Sequence, residues 1–242
     1  MSINRYYLES MEHDFQKINN KKIYAFTSKD QFLDFIQGKK SILIALNAEK
    51  LNRSDPELDD LINSNIGYPD GIGAVWALRR RGLDATKIAG AEFWLDIIEK
   101  YHHEKSFYLI GAAQEVIDMT VTKLKTEFPQ LDIKGYRNGF LKKEDTDLLL
   151  SDFARKKPDI IFVAMGSPKQ EFLMAEFMKS YPALYMGLGG SFDVYSGTKK
   201  RAPRVFISLG LEWLYRLLKE PTRIGRQLNL VKFFFKIIFD RM

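Results

Sequence analysis

Short apolar runs rich in β-branched and aromatic residues recur along the chain. They alternate with segments whose apolar positions return every three or four residues. KIYAF (22–26), SILIAL (41–46), FYLIG (107–111), DIIFVAM (159–165) and ALYMGL (183–188) have the length and composition of buried strands. Between them, DQFLDFIQ (30–37), PELDDLINS (56–64), AVWALRRR (74–81), EFWLDIIEKYH (92–102), QEVIDMTVTKLKTEF (114–128) and KQEFLMAEFMKS (169–180) carry helical spacing. Strands alternating with helices require crossover connections, so the pattern predicts an α/β fold with a Rossmann-like, mostly parallel sheet flanked by helices. Ligands of such sheets bind beyond the carboxyl ends of the strands, which directs attention to the strand-to-helix loops.

Those loops hold the unusual residues. The run at 41–46 leads into Asn47. YPDGIG (68–73) follows the helical segment at 56–64 and opens another, with Pro69 and Gly71 flanking Asp70. LIGAA (109–113) carries Gly111 where an apolar run gives way to small residues. VAMGSPKQE (163–171) passes from a strand through a glycine to a helix start. There Ser167 is expected as N-cap, Pro168 at the first helical position and Gln170 at the third, forming a capping box. MGLGGSFDVYSG (186–197) is a further strand followed by glycines; it lacks GxGxxG spacing, and Asp193 can simply cap a turn. Several helix N-termini aimed at one crevice would form a phosphate site without a Walker sequence.

After Gly197 the character changes. Residues 201–242 hold nine basic and three acidic side chains, while the first 200 residues balance to zero, so the whole net charge of +6 sits in this stretch. Pro221 separates two helical patterns. In the second, Ile224, Leu228, Val231, Phe235 and Ile238 form an apolar stripe flanked by Arg and Lys. A basic amphipathic helix of this kind predicts binding to an anionic membrane surface. The expected organisation is therefore an α/β catalytic domain at 1–200 and a helical, membrane-associating appendage at 201–242.

Composition narrows the classes. With 45% hydrophobic and 28% charged residues, the chain is globular rather than disordered. It has no cysteine, which removes disulfides and thiolate chemistry. The polar start lacks the apolar core of a signal peptide, and no uncharged run reaches the ~18 residues needed to span a bilayer. The expectation is a cytoplasmic protein, peripheral on the inner face of the membrane. A nucleic-acid partner is not expected: residues 1–200 are charge-neutral and no reader motif is present. His13, His102 and His103 lack metal-ligand spacing. Asp145-Thr146-Asp147 has the Asp-x-Asp form of metal-dependent glycosyltransferases, but it precedes LLLSDFA and is better explained as acids at a helix N-terminus. Arg216, Arg223 and Arg226 fall on one face of a helix if Pro221 only kinks it, as cations for a diphosphate or as a solvated, headgroup-facing surface.

Taken together, these segments resemble the WecG/TagA/CpsF family of bacterial glycosyltransferases, its WecG members most. The resemblance runs from about Leu43 to Gln227. It rests on LNAEK (46–50), the DG pair at 70–71, AGAEFW (89–94), AMGSPKQE (164–171), ALYMGLGGSFDVYSGTKKRAP (183–203) and LGLEWLYRLLKEPTRIGRQ (209–227). What it implies is transfer of an N-acetylmannosamine-type sugar from UDP to undecaprenyl-diphosphate-linked N-acetylglucosamine, with inversion. WecG members use the uronic acid and build enterobacterial common antigen; TagA members use N-acetylmannosamine in wall teichoic acid synthesis. Neither cofactor nor metal is implied. The family's proposed general base matches Asp70, and its donor-binding residues match Asn47, Gln170 and Asp193. Gly111, Glu171 and Arg201 are expected at the substrate as well. The C-terminal arginines match Arg216, Arg223 and Arg226, in an appendage proposed to reach the membrane and complete the site.

Two departures stand out. Ala45 occupies a position where many relatives have threonine, and Lys87 one where arginine is common; Lys87 is still expected near the phosphates, without the bidentate fork of arginine. A uronate donor would need a cation, and Lys169, Lys199, Lys200 or Arg201 could supply it. The rival readings are a non-catalytic, membrane-held UDP-sugar-binding protein and a family member with another UDP-sugar donor; an oligomer is possible under either.

Overall fold

In the central strands, side chains alternate between two apolar layers, as the period of two requires. Ile42, Ile44 and Leu46 face one layer with Tyr108, Ile110, Ile161, Val163 and Tyr185. Leu43, Phe107, Leu109, Ile160, Phe162, Leu184 and Met186 face the other. Both faces are covered, so these strands are nearly all-apolar rather than alternating with polar residues.

A computed structural model of the chain describes residues 13–200 together with Ala202, Pro203, Phe206, Leu214 and Tyr215. A hairpin of β1 (Phe15–Ile18) and β2 (Lys21–Tyr24) precedes α1 (Lys29–Ile36) and β3 (Ser41–Leu46). There follow α2 (Ala48–Asn52), α3 (Pro56–Asn63), β4 (Ile66–Pro69), α4 (Ile72–Arg80) and α5 (Gly90–Tyr101). The second half runs β5 (Ser106–Gly111), α6 (Gln114–Glu127), β6 (Asp132–Arg137), α7 (Lys143–Lys156), β7 (Ile160–Ala164), α8 (Lys169–Ser180), β8 (Leu184–Gly187) and α9 (Ser191–Tyr195). Six strands form one sheet in the order β4-β3-β8-β7-β5-β6. Every neighbouring pair is parallel, so all six carboxyl ends lie at one edge. Helices α2, α3, α4, α7 and α8 pack on one face and α1, α5, α6 and α9 on the other.

The parallel α/β fold agrees with the sequence pattern; β1, β4 and β6 add to it, and the expected strand at 22–26 falls in the antiparallel hairpin rather than in the six-stranded sheet. β4 was hidden because IGYP is four residues ending in proline. Proline is tolerated there since β4 is an edge of this sheet. The β1–β2 hairpin lies against that edge, so close at Gly67 that a Cβ would sit 2.5 Å from the Lys22 carbonyl oxygen. β6 is the opposite edge, and DIKGYR is largely solvated rather than apolar. Among the described residues no helix is long and apolar enough to cross a membrane. The expected appendage, with Arg201, Arg216, Arg223 and Arg226, lies outside the described residues.

Gly111 closes β5 with φ at +137°, and a Cβ there would lie 2.2 Å from the Ala164 carbonyl oxygen. Gly111→Ala should therefore lower stability by at least about 1–3 kcal/mol, the usual cost of such backbone strain, seen as a lower urea midpoint. An unchanged midpoint would show that the β5–β7 approach can relax.

Candidate active site

Neighbouring strands send their chains to opposite faces of this sheet. After β3 the chain turns to α2 on one face; after the adjacent β8 it turns to α9 on the other. Such a reversal opens a crevice beyond the carboxyl ends, where open α/β sheets bind ligands. Asn47 stands at its β3 side and the glycines at 189 and 190 at its β8 side.

Asp70 follows β4 directly. Its backbone N–H donates to the Leu46 carbonyl at 3.0 Å, and its carboxylate Oδ1 accepts from the Gly90 N–H at 3.3 Å. It does not cap α4: the N-cap is Gly71, at φ +123°, with no side-chain cap. That glycine turn leaves the half-buried carboxylate at the edge of the sheet rather than folding it onto the helix. Asn47 does cap, its Oδ1 accepting from Lys50 N–H at 2.9 Å at the start of α2. A Cβ placed on Gly71 would be 4.0 Å from Asn47 Cβ, so the two loops are close neighbours.

Gln170 departs from expectation. α8 begins at Lys169 with Pro168 as N-cap and no side-chain cap, so the capping box on Ser167 does not form. The Gln170 carboxamide turns inward instead. Its Oε1 accepts from Met165 N–H (3.4 Å), Gly166 N–H (3.1 Å) and Gly189 N–H (2.9 Å), bolting the loop after β7 to the loop after β8. Three partly buried donors outcompete one local cap. Beside it, Glu171 is 1% exposed and pairs through Oε1 with Lys50 Nζ at 2.7 Å, joining α8 to α2.

The remaining residues lie along the same edge. Asp193, in the first turn of α9, pairs with Lys199 at 3.1 Å. Gly111 borders the loop after β5 and touches Gly139. Lys87 is half-buried on the segment before α5, which Ile88 N–H ties to the Pro69 carbonyl at 2.9 Å. The structure thus links Asn47, Glu171 and Gln170 through Lys50, and it holds Asp70 by its backbone on Leu46, the residue before Asn47, at the same end of the sheet. It adds Lys50, Tyr68 and Gly90, which sequence reasoning passed over. Lys50 and Glu171 are 121 positions apart, and no local signal links them.

Asp145 accepts from Lys142 N–H at 2.8 Å and from Arg137 at 2.9 Å in the first turn of α7. The Lys142 N–H, with Arg137 beside it, holds its carboxyl below the usual range. The Asp-x-Asp is thus a helix start, as its context indicated. Among the described residues no three His, Cys, Asp or Glu side chains are grouped to hold a metal. A surface cleft of about 310 Å³ lies at the opposite end of the sheet, among Lys39, Lys40, Lys105 and Lys157. None of the predicted site residues lines it, and the carboxyl edge remains the place where this topology presents chemistry.

A carboxylate and paired glycine loops at the carboxyl edge of an all-parallel sheet define an α/β protein with a ligand crevice. The sequence model of the glycosyl transferase WecG/TagA/CpsF family matches residues 17–242. The chain belongs to that family and is a glycosyltransferase.

Lys50→Met would leave Glu171 buried without its counter-ion. Breaking a buried pair from one side costs about 3–5 kcal/mol, so a clear drop in denaturant midpoint is expected. A loss under 1 kcal/mol would mean that the Lys50–Glu171 pair does not hold α2 against α8.

Proposed function

We propose that the protein is an inverting transferase that moves N-acetylmannosaminuronic acid, or N-acetylmannosamine, from UDP to undecaprenyl-diphosphate-linked N-acetylglucosamine. Asp70 is the general base, and no metal takes part. The observation that carries this reading is the placement of Asp70: a carboxylate fixed by backbone at both its own N–H and its Oδ1, at the mouth of the crevice, in a member of this glycosyltransferase family. Inversion in one step needs a single carboxylate to take the acceptor hydroxyl's proton as it attacks the face opposite UDP. Help of this kind supplies about 10²–10⁴-fold. Asn47, Gly111, Gln170, Glu171 and Asp193 line or shape the donor side, and Lys87 faces the phosphates. Arg201, Arg216, Arg223 and Arg226 supply the charge that a metal would otherwise bring to the departing diphosphate. The resemblance of its motif strings to WecG members supports the uronate donor, in enterobacterial common antigen synthesis.

The test is a transfer assay in EDTA with detergent-solubilised acceptor, offering each donor separately. Wild type should form the disaccharide-lipid, and Asp70→Asn should lower kcat by about 10²–10⁴-fold. UDP binding without product from any donor would favour a non-catalytic UDP-sugar-binding protein. Product from a different UDP-sugar would keep the class and change the donor.

The basic tail is the second part of the proposal: residues 201–242 bring the enzyme to the cytoplasmic face of the membrane, where the acceptor lies. Each cation near an anionic leaflet contributes about 1 kcal/mol. In flotation, the full chain should bind vesicles containing phosphatidylglycerol, release with rising salt, and bind pure phosphatidylcholine far less. Equal binding to both would remove the electrostatic part of the idea.

A further inference from the structure

Most shielded polar atoms have evident partners: buried Lys21 pairs with Asp59 at 2.9 Å, the partly exposed Lys29 with Asp96 at 2.6 Å, and buried Gln170 serves three N–H groups. Of the five shielded side-chain atoms without a hydrogen bond among the described residues, those of Asp59 and Asp96 lie in ion pairs and Arg81 is engaged through other contacts, which leaves two. Tyr68 Oη and Glu171 Oε2 are shielded from solvent and have no hydrogen-bond partner among the described residues. Tyr68 is 0% exposed and Glu171 1%. Both belong to the carboxyl edge of the sheet, one at the end of β4 and the other in the first turn of α8. Leaving a buried polar atom unbonded is costly, and in native proteins such atoms are commonly completed by a ligand or water.

The Tyr68 hydroxyl is held in place by its surroundings. Its ring packs against Phe32 and Phe93, with centroids 5.2 Å and 6.2 Å away. Its oxygen lies over Gly90, where a Cβ would come within 2.7 Å of it. The N–H of that same glycine donates to Asp70, so hydroxyl and carboxylate border one residue. Burial, reinforced by the charges of Asp70 and Glu171, pushes Tyr68 ionisation well above its usual range, so it stays a donor. Glu171 has one oxygen on Lys50 and the other unused. The edge therefore offers one O–H donor and one carboxylate acceptor, with Lys50 already committed to Glu171. A carboxylate on the ligand would be repelled here; an uncharged group that both accepts and donates is matched.

We infer that Tyr68 and Glu171 form a recognition subsite, beside Asp70, for an uncharged hydroxyl or acetamido group of the donor sugar. Tyr68 Oη–H donates to the oxygen of that group, and Glu171 Oε2 accepts its N–H or O–H. The subsite rests on the UDP-sugar transfer proposed above, and it places any donor carboxylate elsewhere.

Calorimetric titration with UDP and with UDP-N-acetylmannosamine, alongside thermal melting, tests it in the full chain. Tyr68→Phe keeps the ring and removes the hydroxyl. Its affinity for UDP should stay within twofold of wild type, its affinity for the UDP-sugar should fall about tenfold, and its melting temperature should not fall. Gly90→Ala should reproduce the loss in the wild-type background. In the Tyr68→Phe background it should add little, because its Cβ then makes only ordinary contacts, with Ala45 Cβ at 3.7 Å and a ring carbon at 3.8 Å. Unchanged UDP-sugar affinity in Tyr68→Phe would mean that the subsite holds only water and would overturn the inference. So would a melting temperature several degrees lower, which would reveal an internal partner for the hydroxyl. A wild type that binds neither ligand would refute the UDP-sugar reading itself, an outcome separate from either.

Discussion

The four residues of β8 join two halves that the sheet does not otherwise connect. Leu184–Gly187 pairs with β3 on one side and β7 on the other, while β3–β4 and β5–β6–β7 each pair only among themselves. All four residues are buried. The strand must pair across more than 130 positions to reach β3, so its loop-closure entropy is offset only when both neighbours are in place. Its last residue is glycine for a steric reason: a Cβ on Gly187 would lie 2.3 Å from the Gln170 amide nitrogen. The strand that completes the sheet therefore also leaves room for the side chain that shapes the crevice.

From that point the site is built by long-range contacts. Gln170 fixes the glycine loops after β7 and β8 by hydrogen bonds to their N–H groups. Glu171, next in sequence, reaches Lys50 on α2 and so positions the helix that Asn47 caps. A buried ion pair of this type adds little net stability over an apolar pair, because desolvation offsets the attraction. Its contribution here is geometric: it holds the loops after β3 and β7 at a set separation. Asp70 is placed by a different route, through Leu46 and Gly90, and so depends on β3–β4 pairing and on α5 rather than on α8.

The two departures from the family pattern fall within this frame. Ala45 is half-buried on β3, its Cβ 3.7 Å from where a Cβ on Gly90 would stand, so it borders the glycine that serves Asp70. Lys87 forms no ion pair with another described residue and sits on the segment tied to the end of β4. Among the described residues its ammonium is thus not committed to an ion pair.

How much of this could be read from the chain follows from the range of the forces involved. Apolar runs such as SILIAL and DIIFVAM identify buried strands by themselves, because both faces of a parallel sheet must be dry. The alternation with helices then implies the fold class, and Asp145 at a helix start is a matter of neighbours within one turn. The motif strings around Asn47, Asp70 and Gln170 were sufficient to point to the family that the match over residues 17–242 establishes. IGYP and DIKGYR escaped because an edge strand is short or solvated and takes its identity from the neighbour it pairs with. The capping box at Ser167 failed because distant N–H groups compete for the same glutamine. Strand order, the Lys50–Glu171 pair and the unbonded Tyr68 hydroxyl belong to tertiary structure alone. Local sequence determines which segments must be buried and how each begins, but which buried groups meet depends on closing the sheet, and only the folded chain does that.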